Sequence, residues 1–590
     1  MSSKTQKAPA PVTPVPDIPG PIPADSGPTR PIHGPREPVR ECIGALGMAL
    51  LVFSPAVAFP FGRDQATFAW VGRIIVSGGM PYRDAWEVKP PGIYLLYALF
   101  AWFCPDSASL MVAVRVADVC LVALISVLLV AAARRMGEAA SGPPSALLFS
   151  ALYLQGSYWS LAQAESFALP LLLGITLLAL LREPGPRALA GIGLLCGAVA
   201  LLKFPLVLPA APWVLHALRL RTPGTGPRVA ALAAGAALLP AGAVTWLAVQ
   251  GALEPYLAIQ RDFVLPYSRL IPARSAGILA DALTHTAAWG ARVWLPLLLA
   301  VMAAGRRRSR ECAGVPARRL LTVSFLLAVV VVWVQGKYFG YHWQPALPFL
   351  ALLAAPALTA AARMTNPRPH TPHPAPQTPH PNFPRAGLAL TNLASRFSHL
   401  ATRAARVSMT RHQLPALRLL TLLWVVLASG SHYRDALLLA AGRMTRTEWL
   451  TRFGPPGGGD YSFVADLEAA RRIRMATTPG DAVLVWGFEP ALYLFSERDP
   501  PTRFFFNVGV AAPFAPYAWK QEFLADLRRR PPALVVVVRN DAIPWASGRQ
   551  EDSAGQLQQW KELRDWLATR YRPAGQFEDF AFYEPRSRRR

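Results

Sequence analysis

The sequence predicts an all-α polytopic membrane core followed by a small C-terminal α/β domain. Of the 590 residues, 53% are hydrophobic and only 16% are charged, whereas a soluble chain of this length is about a quarter charged. The apolar residues are concentrated in repeated runs, which is typical of membrane-spanning helices. After residue 450, two short β-rich stretches, 482–486 and 533–538, alternate with helical periodicity, which is typical of an α/β domain.

About eleven apolar runs are long enough, or nearly long enough, to cross a bilayer. Several are shorter than the roughly 20 residues of a perpendicular span, so kinked or partly buried helices are expected among them. Lys203 is predicted to separate two of the short spans. The runs are 43–61, 110–133, 145–160, 167–181, 188–202, 204–218, 229–249, 287–304, 320–334, 345–362 and 416–430.

The net charge of +25 is a topology signal. Arginines cluster in alternate connections, at 134–135, 182–187, 219–228, 306–319 and 363–411. The positive-inside rule therefore predicts a multi-pass protein of the inner (plasma) membrane with a cytoplasmic N-terminus. An odd number of spans leaves the C-terminal domain extracytoplasmic. No basic segment is interleaved with stacking aromatics, so nucleic acid is not an expected partner.

The domain organisation follows from the same composition shifts. The first apolar run lacks the pattern of a signal peptide and is expected to be a retained span. Repeated Pro and His residues between 366 and 384 favour a stiff linker over a metal-binding tract. The five cysteines are scattered and predict neither a zinc site nor a disulfide framework. The predicted parts are a disordered Pro-rich cytoplasmic tail (1–40), the membrane core (41–363) with an outer loop (62–109), a Pro/His/Arg-rich cytoplasmic linker (364–415), the last span (416–440) and the extracytoplasmic α/β domain (450–590).

The outer loop begins with "FGRDQATFAWVGRIIVSGG", in which Phe68, Val71 and Ile74 recur at helical spacing. This pattern predicts an amphipathic helix in the plane of the membrane interface. Asp64 would lie at its N-terminal edge. Two interpretations stay open for this residue, because Asp is a good helix N-cap and is also a carboxylate capable of acid–base chemistry.

The second half of the loop, "MPYRDAWEVKPPGIYLLYALFAWF", surrounds Lys89 with aromatic residues. Pro90 and Pro91 bias Lys89 toward an extended conformation and favour a helix start after it. The apolar run 93–103 is too short for a span and predicts a second interfacial or re-entrant helix. Lys89 is then either a snorkelling lysine or a cation for a lipid phosphate.

The stretch "RDQATFAWVGRIIVSGGMPYRDAWEVKPPGIYLLYAL" resembles the first extracytoplasmic loop of the GT-C glycosyltransferases related to protein O-mannosyltransferases and the lipid A aminoarabinose transferase (glycosyltransferase family 39-like). The order, spacing and topological side of its motifs agree with that family. Gln65 departs from it, because many members have Glu at this position. A second carboxylate is therefore absent, which weakens the case for a bound metal.

Later outside-facing motifs resemble the same family. "WSLAQAESFALP" carries Glu165, "LLKFPLVLPA" carries Lys203, and "VQGKYFGYHWQPALPF" carries Lys337 and His342. Each also has an ordinary interpretation: Glu165 as a helix-start charge, the lysines as interfacial anchors, and His342 as an interface residue. The resemblance covers about residues 43–362, and it extends to the layout of a membrane core with a small outside domain.

The resemblance implies a polyprenyl-phosphate-linked sugar as donor and an acceptor hydroxyl on a lipid, a cell-envelope glycan or a protein, with inversion at the anomeric carbon. Asp64 is the predicted catalytic base, and Lys89 is the first predicted phosphate-binding residue. No cofactor is predicted, and a divalent metal requirement is left open. The remaining predicted substrate-binding residues are Tyr82, Glu165, Lys203, Arg292, Lys337 and His342.

Alternatives remain at both the residue and the protein level. Asp84 and Glu87 compete for the role of base, although Asp84 is also suited to capping a turn or pairing with Arg83. Glu254, Arg261 and Asp262 in the loop "EPYLAIQRDFVLPYSRL" are candidates for shaping an acceptor pocket. A multi-pass lipid or solute transporter or flippase is the main alternative function, and a non-catalytic membrane scaffold is a third.

Overall fold

The computed structural model describes residues 36–218, 225–270, 277–304, 317–359, 413–454 and 461–586. The chain divides into two units, Met1–Arg40 and Glu41–Arg590. Of the predicted N-terminal tail, only the beginning of a helix is among the described residues. The predicted linker lies outside them except at its last residues, and Cys312 lies outside them as well.

Six helices of the described ranges are long and apolar enough to cross a membrane, and a seventh span results if the pair Gly277–Arg292 and Trp294–Ala304, bent by 89°, is counted as one. The predicted total of about eleven spans is therefore not reached by these helices. The six are Glu41–Ala58, Ser107–Arg135, Pro186–Leu218, Thr225–Val249, Ala317–Gln335 and Gln413–Ala440.

The prediction of separate spans on either side of Lys203 is wrong. An α-helix, Pro186–Lys203, continues through a 3₁₀ stretch, Phe204–Ala210, into a further helix, Ala211–Leu218. Pro205 is tolerated because it stands in the first turn of the 3₁₀ stretch. The predicted span 145–160 is not confirmed as one continuous helix, because it comprises Gly142–Leu154 and the four-residue helix Ser157–Ser160.

The helix that carries Lys203 crosses Thr225–Val249 at very close range. A Cβ atom added to Gly235 would lie 2.1 Å from the carbonyl oxygen of Ala190. Only glycine permits this approach, and small residues at helix crossings are the usual means of close packing in membranes.

Shorter helices complete the core and its outer surface. Their amphipathic or fully apolar patterns bury one face against the spans. In the membrane core and outer loop they are Arg63–Val76, Gly92–Phe103, Gly142–Leu154, Ser157–Ser160, Ala164–Ala179, Leu253–Ile259, Leu265–Ser268, Leu347–Ala354 and Pro356–Thr359. 3₁₀ segments are Ser54–Ala58, Ala139–Ser141, Phe204–Ala210 and Gly340–Ala346, and a π-helical turn spans Gln260–Val264.

The C-terminal sheet region, residues 461–586, contains four strands: β1 (Val483–Trp486), β2 (Leu534–Val538), β3 (Tyr571–Phe577) and β4 (Phe580–Pro585). Their order is β1-β2-β4-β3. β1 and β2 are parallel, and β4 is antiparallel to both β2 and β3. The helices around the sheet are Phe463–Ala476, Ala491–Ser496, Val508–Ala511, Tyr517–Arg529, Pro544–Ser547, Ser553–Gln559 and Lys561–Arg570, and Arg446–Leu450 precedes them.

The C-terminal sheet region packs directly on the outer loop. Trp86 of the loop is only 1% exposed. Its ring contacts Phe506 and Trp519 of the sheet region, and its backbone N–H donates to the carbonyl of Arg503 at 2.8 Å. The loop and the sheet region therefore share one hydrophobic core and lie on the same side of the membrane helices.

Candidate active site

The helix Arg63–Val76 begins the site, and its first turn is capped without Asp64. The backbone N–H of Gly62, the N-cap residue, donates to Gln65 Oε1 at 2.9 Å. The interpretation of Asp64 as an N-cap is therefore wrong, because Asp64 stands inside the first turn. Its carboxylate is stabilised there by the positive end of the helix dipole and is free to point elsewhere.

The carboxylate of Asp64 points to the ammonium of Lys89. Asp64 Oδ1 lies 3.5 Å from Lys89 Nζ, and the two side chains are 24% and 21% exposed. Lys89 Nζ also lies 4.2 Å from the centroid of the Phe68 ring, a cation–π contact from the same helix. The structure thus brings the predicted base and the first predicted phosphate-binding residue together in a partly open position.

Tyr82 holds the backbone of Lys89 in place. It is fully buried and adopts a left-handed conformation with φ of 69°, which is strained for a non-glycine residue. Its hydroxyl donates to the carbonyl of Lys89 at 2.8 Å. The predicted substrate contact of Tyr82 is not what this geometry offers, because the side chain is enclosed and its hydroxyl is bound to the main chain.

Glu87 is a buried carboxyl group next to this pair. The hydroxyl of Tyr94 donates to Glu87 Oε2, and the backbone N–H of Lys89 donates to the Tyr94 hydroxyl at 3.2 Å. Burial raises the pKa of Glu87, and the positive charge of Lys89 opposes that rise. Asp84, the other competitor for the role of base, pairs with Arg83 at 2.7 Å and accepts the backbone N–H of Met80.

A second ion pair joins the helix Ala164–Ala179 to the end of Pro186–Lys203. Lys203 Nζ lies 2.5 Å from Glu165 Oε1, and the Glu165 side chain is only 1% exposed. Lys203 Nζ also lies 5.8 Å from the centroid of the Tyr341 ring. Such a buried carboxylate needs a cation, which explains how a lysine is tolerated within a long apolar helix.

Tyr341 links the two ion pairs. Burial raises the pKa of its hydroxyl well above the usual value, and the nearby charges of Asp64 and Glu165 raise it further. Asp64 and Glu165 therefore lie around one tyrosine, although they are far apart in sequence.

His342 lies beside the same lysines. Burial lowers the pKa of its imidazole well below the usual value, and the positive charges of Lys203 and Lys89 lower it further. The imidazole is therefore neutral near pH 7. Its Nδ1 atom is buried and has no hydrogen-bond partner among the described residues.

Lys337 reaches the site from the C-terminal side of Ala317–Gln335. Its Nζ atom donates to the carbonyls of Leu270 at 2.8 Å and Trp545 at 2.9 Å. The ammonium also lies 4.4 Å from the centroid of the Tyr267 ring. Burial lowers the pKa of Lys337 to about 8.

Arg292 is the one predicted site residue that this geometry leaves apart. It ends the helix Gly277–Arg292 at the 89° bend, and its side chain is exposed. Within the described part of the chain, no hydrogen bond, ion pair or ring contact joins it to Asp64 or to the lysines. The sequence predicts Arg292 near the outer end of the span 287–304, and the structure places it at the bend between the two helices of that region.

The contacts of Gln65 explain why this position holds an amide rather than the Glu of many family members. Its amide Nε2 donates to the carbonyl of Leu161 at 2.6 Å and approaches those of Tyr158 and Trp159 at 3.2 Å each. A glutamate has no N–H group for these carbonyls. Among the described residues, no group of three or more His, Cys, Asp and Glu side chains is arranged to hold a metal ion.

Sequence reasoning missed several residues around the site. Arg63 pairs with Glu489 of the C-terminal sheet region, and Tyr267 lies under Lys337. Gln260 Nε2 donates to the carbonyl of Val88 at 3.0 Å, whereas Arg261 and Asp262 pair with each other on the surface. The aromatic residues of the loop "EPYLAIQRDFVLPYSRL" were the available signal, rather than its charges.

An apolar cavity of about 510 Å³ opens next to Lys203. Its lining includes Phe204, the residue that follows the lysine, together with Leu208, Leu215 and Val334. The charged cluster and this apolar space are therefore neighbours along the same helix.

The fold is similar to that of ArnT from Cupriavidus metallidurans, solved bound to undecaprenyl phosphate: the two are 15% identical over 92% of this chain and 97% of ArnT, with a TM-score of 0.54. An oligosaccharyltransferase from Archaeoglobus fulgidus tethered with an acceptor peptide is 12% identical over 85% of this chain and 69% of its own, with a TM-score of 0.43. The arabinofuranosyltransferase AftD from Mycobacteria is 14% identical over 94% of this chain and 40% of its own, with a TM-score of 0.44. No protein-family model and no curated protein sequence matches the chain.

The likeness to ArnT, which is a GT-C glycosyltransferase, identifies the fold. The chain has the GT-C fold of membrane glycosyltransferases, and the predicted resemblance is confirmed at this level. It is a mostly helical membrane protein with a small C-terminal sheet region.

Proposed function

We propose that this chain is an integral-membrane glycosyltransferase that moves a sugar from a polyprenyl-phosphate donor to an acceptor hydroxyl. One observation carries the proposal: a partly exposed carboxylate, Asp64, lies 3.5 Å from an ammonium group and within one polar cluster with further lysines. Base and phosphate-binding cations are the two groups that this reaction requires.

In the proposed reaction, Asp64 takes the proton of the acceptor hydroxyl as its oxygen attacks the anomeric carbon. The bond between that carbon and the phosphate oxygen breaks, and the polyprenyl phosphate leaves with the electron pair. Lys89 stabilises the negative charge on the phosphate, with Lys203 and Lys337 as additional cations. Because attack and departure occur on opposite faces, the product has the inverted configuration.

The apolar cavity beside Lys203 suits the prenyl tail of the donor. Its lining residues expose almost no polar groups to the space. A lipid-linked sugar needs its tail in an apolar site and its phosphate among cations, and the step from Phe204 to Lys203 offers both within one helix. The solved complex of ArnT with undecaprenyl phosphate supports the same class of donor.

We further propose that the outer loop and the C-terminal sheet region lie on the extracytoplasmic face of the plasma membrane. The arginine-rich connections support this orientation. The acceptor would then be a hydroxyl of a lipid, a cell-envelope glycan such as lipopolysaccharide, or a protein. The predicted domain boundaries are retained as part of this proposal.

The proposal is tested with purified protein in liposomes that contain a polyprenyl-phosphate sugar, and by mass spectrometry of envelope lipids, glycans and proteins from cells with and without the chain. We expect Asp64→Asn to lower transfer by roughly 10²- to 10⁴-fold, the usual contribution of a general base. Donor binding and protein yield should persist. A single sugar missing from one envelope component would identify both substrates.

Asp84→Asn is the matched control, because Asp84 lies in the same loop and is paired with Arg83. It should retain transfer. If Asp64→Asn retains turnover, the base lies elsewhere, with Glu87, Asp84 and Glu165 as candidates. If the wild-type chain moves the donor lipid across the bilayer without transferring sugar, the flippase alternative is correct.

A further inference from the structure

The C-terminal sheet region contacts three of the four segments that carry the proposed catalytic charges, namely those of Asp64, Lys89 and Lys337. Glu489 pairs with Arg63, the residue before Asp64. Trp86, three residues before Lys89, is enclosed by aromatic residues of the sheet region. The carbonyl of Trp545 accepts a hydrogen bond from Lys337.

The pair Arg63–Glu489 is the contact closest to the proposed base. Arg63 Nε donates to Glu489 Oε1 at 2.9 Å, and the two side chains are 7% and 4% exposed. The guanidinium of Arg63 also lies 5.2 Å from the ring centroid of Tyr461 and 5.9 Å from that of Phe488. Ionic and aromatic contacts from the sheet region thus hold one planar side chain in a fixed orientation.

Glu489 is itself held by the sheet. It follows β1, whose parallel pairing with β2 fixes the carboxyl ends of both strands at one edge. The backbone N–H of Phe488, the preceding residue, lies 3.3 Å from Oδ2 of Asp541, which follows β2. The backbone that carries the Glu489 carboxylate is therefore fixed by the sheet.

The helix Arg63–Val76 would transmit this constraint over a very short distance. Arg63 and Asp64 are consecutive residues of its first turn. Further along the helix, Gly72 packs directly on the backbone of Tyr97. A Cβ atom added to Gly72 would lie 2.8 Å from the carbonyl carbon of Tyr97. The helix is therefore held at two points, by packing at Gly72 and by the ion pair at Arg63. These two contacts fix the orientation of Asp64 toward Lys89.

We propose, on the basis of the proposed function, that the C-terminal sheet region is a positioning part of the active site, in which Glu489 acts through Arg63 to orient Asp64. Glu489 is a positioning residue and does not touch the substrate. The region is then required for turnover even where donor binding does not need it.

The test compares Glu489→Gln with the double variant Arg63→Met/Glu489→Met in the full-length chain. The double variant guards against misfolding, since replacing both members of a buried ion pair with apolar side chains is often neutral for stability. We expect kcat to fall on the order of 10²-fold, the typical effect of a displacement of about 1 Å, with KM for the donor unchanged. Hydrogen exchange of the segment 61–70 should increase in both variants.

Glu584→Gln is the matched control, because Glu584 pairs with Arg572 at 2.7 Å in the same region but on its exposed strands. It should leave kcat and hydrogen exchange unchanged. The inference is overturned if the Arg63 and Glu489 variants keep both wild-type kcat and wild-type exchange while Asp64→Asn is inactive. Lost thermal stability with normal turnover per folded molecule would overturn it as well. Full activity of Asp64→Asn would instead overturn the proposed function. The hydrogen-exchange data would still show whether the Arg63–Glu489 pair holds the segment 61–70 in place.

Discussion

At the scale of single residues, the lysines of the site differ in how firmly they are already bound. The 3.5 Å separation of Lys89 from Asp64 is longer than a hydrogen bond, so N–H donors of Lys89 remain available. Lys203 lies 2.5 Å from a buried carboxylate, and its first role is to neutralise that charge. Lys89 is therefore the better candidate for the first contact with a donor phosphate.

The ion pair Glu165–Lys203 should be needed for folding as well as for transfer. Lys203→Met leaves the Glu165 carboxylate buried without its cation, which costs about 3–5 kcal/mol. We expect a large fall in folded yield and melting temperature. Thermal unfolding of the wild type and of Lys203→Met in detergent measures this difference in melting temperature.

The double variant Glu165→Gln/Lys203→Met separates the two roles of Lys203. Because both charges are removed, folding should recover most of the lost stability. Transfer should stay impaired if the ammonium also contributes to phosphate binding. Recovery of both stability and transfer would limit Lys203 to a structural role.

Lys337 predicts an alkaline limit for donor binding. Burial lowers its pKa to about 8, so the ammonium is charged below that pH and loses its proton as the pH rises through it. Bound phosphate favours the charged form, and affinity should therefore fall by up to about tenfold per pH unit above 8. Binding of a labelled polyprenyl phosphate across pH 6–10 measures this.

Lys337→Arg is the decisive comparison, because a guanidinium stays charged over this range. The alkaline limit should disappear in that variant while binding near pH 7 is largely kept. The same limit in wild type and Lys337→Arg would show that another group titrates.

At the scale of elements, the periodicity of the outer loop was a reliable guide and the charges within spans were not. The helix predicted after Asp64 is present as Arg63–Val76. The break predicted at Lys203 is absent, because its partner Glu165 comes from another helix and a local pattern cannot contain that information. For the same reason, Asp64 could be mistaken for a cap: the choice depended on Gln65, which reaches back to Gly62.

Arg115 shows how a buried charge in a span can fix the beginning of the outer loop. Its guanidinium donates to the carbonyls of Phe59 and Pro60 and to that of Tyr158. Arg115→Met removes the donor to the carbonyls of Phe59 and Pro60 and leaves that of Tyr158 with Gln65 alone. Each hydrogen bond from a charged group contributes about 1.5–3 kcal/mol. We expect a clearly lower melting temperature and a weaker hold on the segment 59–62.

Arg135→Met, at the exposed end of the same helix, is the comparison for Arg115. Arg135 donates to the carbonyl of Leu177 from an exposed position, so its loss should change stability by less than about 1 kcal/mol. Equal melting temperatures for the two variants would contradict the anchoring role of Arg115.

At the scale of the whole molecule, the sequence predicted two strands of the C-terminal region and missed two. β1 and β2 are continuous apolar runs and are buried along their length. β3 is largely exposed and contains Pro and Gly, so it gives no strand pattern. The docking of the region on the outer loop had no local signal either, because pairs such as Arg63 and Glu489 are 426 residues apart in sequence.

The same docking predicts which parts of the molecule share a side of the membrane. Ser107 begins the long helix Ser107–Arg135, and its hydroxyl donates to the carbonyl of Leu494 in the C-terminal sheet region at 2.5 Å. The 29 residues of that helix extend roughly 43 Å at 1.5 Å per residue. Arg135 at its far end should therefore face the opposite side from the sheet region, and the positive-inside rule assigns that side to the cytoplasm.

Cysteines introduced one at a time at Arg83, Tyr517 and Arg135 test this arrangement in intact cells with a membrane-impermeant thiol reagent, read by mass spectrometry of the labelled peptides. The Arg83 side chain is 41% exposed and Tyr517 is 66% exposed, so both should react. Arg135→Cys should react only after permeabilisation. Labelling of positions 83 and 517 from opposite sides would contradict the docking of the sheet region on the outer loop. Labelling of both only from the cytoplasm would leave the fold intact but reverse the orientation, and sugar transfer would then have to occur on the inner face.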